Sequence, residues 1–183
     1  MVKLFIPFCN EETVRVLLFV LVISFPLAVF GQSTPIPNRL IDQKAFLADV
    51  MAAHADRESR RVSEERFIDM AGDPNTIILD ARTAERYERI HIAGAKSLPF
   101  TEFTEQALAK VVPSKETRIL IYCNNNVENS PQDFATKALG ASLNLSTLPA
   151  LYTYGYRNVY ELGPVIDPET SKILFEGSSV AAK

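Results

Sequence analysis

The sequence predicts an α/β fold, a parallel sheet flanked by helices on both faces, and three observations point there. Two short runs, Thr76 to Leu79 (TIIL) and Arg118 to Tyr122 (RILIY), are apolar with no alternation, as strands covered on both faces are. Stretches with apolar residues three and four apart fall between and beside these runs, so helices and strands alternate along the chain. The 183 residues are 47% hydrophobic and 22% charged, which is enough apolar material for one core and too much for disorder.

The elements follow in order. Residues 32–39 read as a polar, proline-containing linker, and the fold is expected to span residues 40–176. From Leu40 to Ala55, the spacing of Phe46, Val50 and Ala53 beside Leu47 and Met51 stripes one helical face. Ser63, followed by Glu64 and Glu65, starts a second helix that runs through Ala71, since a serine hydroxyl caps first-turn amides and acids suit that turn. Gly72 to Asn75 turns the chain into TIIL. A short helix is expected over Thr83 to Ile90, a connecting strand from Gly94 to Pro99, and a helix over Thr101 to Val111 with Phe103, Ala107, Leu108 and Val111 on one face. After RILIY, the order Ser130, Pro131 and Asp133 reads as a helix start, with Lys137 and Gly140 at its end. Ser146 reads as the cap of another helix, which would put Pro149 in a first turn where its missing N–H costs nothing. Asn158 to Leu162 (NVYEL) is the last central strand, Lys172 to Phe175 an edge strand, and residues 177–183 a loose tail.

The first thirty-one residues stand apart from this pattern. Val16 to Phe30 is an uncharged apolar run behind Lys3 and Arg15, the layout of a secretory signal peptide over residues 1–31 with cleavage after Gly31. An uncleaved N-terminal membrane anchor is the alternative, and the only membrane contact expected. Either way the domain is expected outside the cytoplasm, periplasmic or secreted. Cleavage would remove Cys9 and leave Cys123 as the single thiol, so no intramolecular disulfide is expected. The net charge of −3 argues against nucleic acid as a partner. Two cysteines, two histidines and no CxxC give no support to a metal site, and no cofactor is expected.

Cys123 follows directly on RILIY. In an open parallel sheet, ligands bind beyond the carboxyl ends of the strands, and a loop that leads from there into a helix turns amide dipoles toward its centre and favours a thiolate. The other reading of the position is a buried core cysteine. Of the remaining polar residues, Asp80 and Arg82 read as an ion pair that shapes the neighbouring loop. His91 reads as a partner for backbone groups, and Tyr152, Tyr154, Tyr156 and Tyr160 as packing residues. At least one of Asn124, Asn125 and Asn126 is expected in a left-handed backbone conformation.

Four segments in order carry a family resemblance: Asp80-Ala81-Arg82 after TIIL; Tyr87 and His91 to Ala95 before Leu98-Pro99; Ile121-Tyr122-Cys123; and Gly155 to Leu162. Together, from about Val62 to Leu162, they resemble a single rhodanese domain. The resemblance implies a sulfurtransferase or persulfide carrier, in which Cys123 accepts sulfane sulfur and passes it to a small thiol or a protein thiol. The amides of Asn124, Asn125, Asn126, Val127, Glu128 and Asn129 would cradle the substrate. The sequence departs from that family in two ways. Its loop has no Gly, Lys or Arg and carries an acid at Glu128, so anionic donors are poorly served. Thirty-two positions separate Cys123 from Gly155, more than one loop and helix need; the surplus over residues 130–145 reads as a lid, a partner surface or a structural patch. An oxyanion-clamping arginine of the phosphatase kind is missing at positions 128 and 129, which excludes that chemistry. The competing expectation is a rhodanese-fold binding module of the cell envelope that has lost catalysis.

Overall fold

The structure is a computed structural model that describes residues 36–180. The signal or anchor segment of the sequence reading, and residues 181–183, lie outside the described residues. The chain divides at Arg39, and every helix and strand below belongs to the unit that starts at Leu40.

Five parallel strands form the central sheet: β1 (Arg61–Val62), β2 (Thr76–Asp80), β4 (Lys96–Ser97), β5 (Arg118–Tyr122) and β6 (Val159–Leu162), in the order β1-β6-β5-β2-β4. TIIL and RILIY lie side by side at the centre, with Thr76 opposite Arg118 and Asp80 opposite Tyr122. Their lack of alternation is explained by the two cores they serve. Leu120 and Tyr122 face one cluster with Phe67, Met70 and Phe134, whereas Ile119 and Ile121 face the other with Leu108, Leu148 and Leu151. Each such side chain stabilises the fold by about 1.5–3 kcal/mol on burial.

Helices cover both faces as expected. They are α1 (Gln43–Ala55), α2 (Arg57–Arg60), α3 (Glu64–Ala71), α4 (Ala84–Arg89), α5 (Glu105–Val111) and α6 (Leu143–Thr153). Ser63 caps α3 by accepting from Arg66 N at 3.2 Å, and Thr83 and Thr104 cap α4 and α5 in the same way. α2 is tied to β6 by Arg57, whose Nε and Nη2 donate to both oxygens of the buried Glu161 at 2.9 and 2.7 Å.

Five expectations are corrected. α1 buries Ala53 but leaves Phe46, Leu47 and Met51 exposed, because its apolar residues are spread around the helix among Gln43, Lys44, Asp49 and His54, so the spacing does not mark the inward face. No helix forms over Ser130 to Gly140. Asp133 N and Phe134 N both bond to Ser130 O, which closes a single turn, and the rest runs irregularly to a 3₁₀ turn at Leu139–Ala141. A ten-residue helix is marginal without packing, and here the buried Phe134 pins the chain instead. α6 starts after Ser142 rather than Ser146, which places Pro149 inside the helix. The late edge strand, β7 (Phe175–Glu176), pairs antiparallel with β3 (His91–Ile92) in a separate two-stranded ribbon, not with the central sheet. Beyond it, Ser178 N and Ser179 N donate to Glu88 O and Arg89 O, so the chain is held to the end of α4 past the point where the sequence suggests a loose tail.

Candidate functional site

Cys123 leaves the C-terminal end of β5 with extended backbone (φ −149°) and enters a 3₁₀ turn, Asn124–Asn126. The thiol is only 1% exposed. Its Sγ lies 3.3 Å from the Oγ of Ser142, the residue that precedes α6. The helix end beside the sulfur is therefore that of α6, nineteen residues on, and not a helix that opens at Ser130.

The expected amide cradle is only partly present. Asn126 N bonds to Cys123 O at 3.0 Å, Val127 N to Asn124 O at 3.3 Å, and Glu128 N to Ile166 O at 3.0 Å. Three of the six amides are thus committed to carbonyls. Val127 bridges in parallel to Ile166 and is buried in the core, so it is packing and not a ligand contact. Asn126 is structural as well. Its Oδ1 accepts from Cys123 N at 2.9 Å and Asn144 Nδ2 at 3.1 Å, while its Nδ2 donates to Leu162 O at 2.7 Å and Pro164 O at 3.3 Å. Asn125 exchanges two bonds with the backbone of Lys137: Nδ2 to Lys137 O at 2.8 Å, and Lys137 N to Oδ1 at 3.1 Å. The side chain of Asn124 alone among the three has no hydrogen bond among the described residues. The left-handed conformation falls at Asn129 (φ 59°), not within residues 124–126, and its Nδ2 donates to Asp167. Glu128 is exposed.

The segment the sequence reads as surplus is a strap across this loop. Phe134 pins it into the core at one end and Asn144, on Asn126, at the other. Between them residues 135–141 are largely exposed, and Leu139 is 87% exposed. The strap's bonds to the cysteine loop are the Asn125–Lys137 pair, Ser142 on the sulfur and Asn144 on Asn126.

Beneath the strap lies a buried ion pair. Arg82 Nε sits 3.0 and 3.1 Å from the two oxygens of Asp80, and Nη2 donates to Oδ2 at 2.6 Å, with both side chains almost fully buried. The remaining guanidinium donors go to Ile90 O at 2.7 Å and Asp133 O at 3.3 Å, so the pair fixes the start of the strap. Burial works against the Arg82 charge, but the bonds and charge of Asp80 outweigh it and raise its pKa above the ordinary value. Tyr122 OH also donates to Asp80, and burial followed by that carboxylate pushes its pKa far up. Asp80 and Arg82 thus form the shaping pair the sequence suggests. His91 likewise bonds Tyr87 O through Nδ1 at 2.6 Å, and its Nε2 lies 3.1 Å from Glu176. Tyr152 and Tyr156 are buried, and Tyr154 and Tyr160 pack against the two cores.

A cavity of about 820 Å³ opens beside Asn129, Ser130, Asp133, Phe175 and Glu176, and Cys123 is not in its wall. Among the described residues no group of three or more His, Cys, Asp or Glu could hold a metal ion.

Residues 63–162, more than half of the chain, match the family model of the rhodanese-like domain. The chain belongs to the rhodanese-like domain family. A 46-residue stretch is 37% identical to thiosulfate sulfurtransferase PspE of Escherichia coli (strain K12), covering 25% of this chain and 43% of that one. The chain thus spans less than half the length of that curated relative. Among solved structures, BH2092 protein from Bacillus halodurans shares 23% identity over 73% of this chain and 88% of its own, with a TM-score of 0.49. A rhodanese with anions from E. coli shares 21% over 56% and 99%, with a TM-score of 0.38. Within this rhodanese-like domain, sequence reasoning missed Ser142, Lys137 and Asn144. The stretch from Ala141 to Ser146 held the signal, since serine is a residue type that suits a helix start and both Ser142 and Ser146 offer one, but the tolerance of Pro in a first turn favoured the wrong one.

Proposed function

We propose that the protein is an exported sulfurtransferase or persulfide carrier with Cys123 as the sulfur acceptor. The observation that carries this reading is the address of the thiol: Cys123 ends the central strand of a rhodanese-like domain, with the Ser142 hydroxyl 3.3 Å from its sulfur. The Cys123 thiolate attacks the outer sulfur of a sulfane donor, a new S–S bond forms, and the donor's own S–S bond breaks. With thiosulfate the leaving group is sulfite, and the charge of −3 on the reactants is kept in the perthiolate and sulfite. A thiol acceptor then takes the terminal sulfur and returns Cys123 as thiolate. No cofactor enters either step. The apolar run Val16 to Phe30 supports export, either as a cleaved signal or as an anchor.

Burial of the thiol requires the strap to shift before a donor reaches it, which suits small donors or a flexible protein persulfide. The exposed acid Glu128, five residues past Cys123, disfavours a dianionic donor on this reading. The test is steady-state transfer from thiosulfate and from a neutral persulfide to a thiol acceptor, comparing wild type with Cys123→Ser. Turnover that disappears in the variant supports the reading. Equal rates, or none with any donor, favour the binding module, for which the 1% exposure of Cys123 and the three committed amides speak.

A further inference from the structure

We propose that Ser142 is a catalytic residue of this site, the hydroxyl donor to the Cys123 sulfur; the inference rests on the sulfur-transfer reading above. The argument comes from what Ser142 does not do. Asp42, Ser63, Thr83 and Thr104 all stand at helix N-caps, and each accepts from the amide three residues on: Ala45 at 2.9 Å, Arg66 at 3.2 Å, Arg86 at 3.4 Å and Ala107 at 3.1 Å. Ser142 occupies the same position before the eleven-residue α6, yet its side chain makes no capping bond. The amide it would cap, Leu145 N, bonds instead to the Ser142 carbonyl at 3.0 Å. With that amide satisfied by the main chain, the hydroxyl is free to face Sγ at 3.3 Å.

This orientation gives up a capping bond that an N-cap serine ordinarily makes. The contact has a use in both halves of the transfer. As the nucleophile, a Cys123 thiolate has no proton to give, so the hydroxyl must be the donor, with the amide dipoles of α6 behind it. In the second half the acceptor thiolate forms a bond to the terminal sulfur, the Cys123 S–S bond breaks, and the electron pair returns to Sγ. Negative charge therefore grows on the atom that Ser142 faces, and a donor there makes Sγ a better leaving group. Within the loop the amides of Val127 and Glu128 are committed to carbonyls, while Asn126 N bonds Cys123 O and also reaches the Cys123 side chain, so the Ser142 hydroxyl adds a side-chain donor to what the loop supplies.

The test compares wild type, Ser142→Ala, Ser142→Thr and Ser142→Asp in three measurements: thermal midpoint, ultraviolet thiolate absorbance at one neutral pH, and single-turnover discharge of preloaded protein to a small thiol. Ser142→Ala is expected to keep the midpoint, having no capping bond to lose, to lose thiolate absorbance, and to discharge about ten- to a hundredfold more slowly. Ser142→Thr should restore discharge. Ser142→Asp should hold or raise the midpoint, as a good cap does, and still discharge as slowly as the alanine variant. Wild-type discharge in Ser142→Ala overturns the proposal, as does a loss that tracks a lower midpoint and is repaired by Asp. If wild type takes up no sulfur, the transfer reading fails by itself. The thiolate absorbance then decides Ser142: a drop in Ser142→Ala supports the contact, and no change overturns it.

Discussion

Removing the carboxylate of Asp80 tests whether the buried ion pair under the strap holds the site together. Asp80→Ala deletes the acceptor of Arg82 N at 2.9 Å, of Nε at 3.0 and 3.1 Å, of Nη2 at 2.6 Å and of Tyr122 OH. Arg82 keeps the carbonyls of Ile90 and Asp133 and its place over the Phe134 ring, 4.1 Å from the centroid, but its side chain is 1% exposed and has no other anion among its hydrogen-bond partners. Breaking one side of such a pair costs about 3–5 kcal/mol, because the remaining charge stays buried. Against a typical total of about 5–15 kcal/mol the loss is severe. At roughly 2–4 °C per kcal/mol for a chain of this size, the midpoint should fall by about 6–20 °C. Thermal unfolding followed by circular dichroism measures it, with Asp80→Ala/Arg82→Leu as the control. The double variant should recover much of the loss, since no buried charge is then left alone. A fall of less than about 3 °C in the single variant, or purely additive losses in the double, refutes the reasoning.

Three more expectations follow from the geometry. Asn125→Ala removes both bonds between the loop and Lys137, each worth about 0.5–1.5 kcal/mol net, so alkylation of Cys123 by a small neutral reagent in native protein should speed up roughly 5- to 100-fold; an unchanged rate means the strap does not gate the thiol. The Gly94 amide bond, opposed by burial and helped by His91, lowers the Glu176 pKa below its ordinary 4.5. Its contribution to stability is therefore complete above that unfolded value and lost as pH falls through the folded one, and acid unfolding of Glu176→Gln should show a shallower loss over that window. Glu128→Gln should raise kcat/KM for thiosulfate about two- to fivefold at low salt, with the gain fading at high salt because Glu128 is exposed, and leave a neutral donor unaffected; no gain means the acid does not face the donor.

How much of this was legible in the sequence depended on which residues met their partners locally. TIIL and RILIY announced themselves because a strand buried on both faces has no polar alternation to hide it. Ser63 was readable for the same reason, since a cap acts within three residues. Asp80 and Arg82 lie two apart, and a charged pair at a strand end has few other uses. The strap was illegible in kind. Ser130-Pro131 carries a valid helix start, but Phe134 reaching the core and Lys137 meeting Asn125 across twelve residues overrode it. Asn126 looked like a ligand residue until Leu162 and Asn144, far along the chain, took up its amide. Ser142 was hidden by Pro149: the position that makes a proline harmless is a local preference, and α6 carries it inside because packing of Leu148 and Leu151 fixes the helix regardless.

The central claim, that Cys123 carries sulfane sulfur, is tested most directly by intact mass after incubation with a donor and removal of the excess. The account predicts one added sulfur atom on wild type, none on Cys123→Ser, and loss of the added mass when a thiol acceptor is supplied. Identical masses for wild type and Cys123→Ser, across thiosulfate and a neutral persulfide on freshly reduced protein, would contradict it.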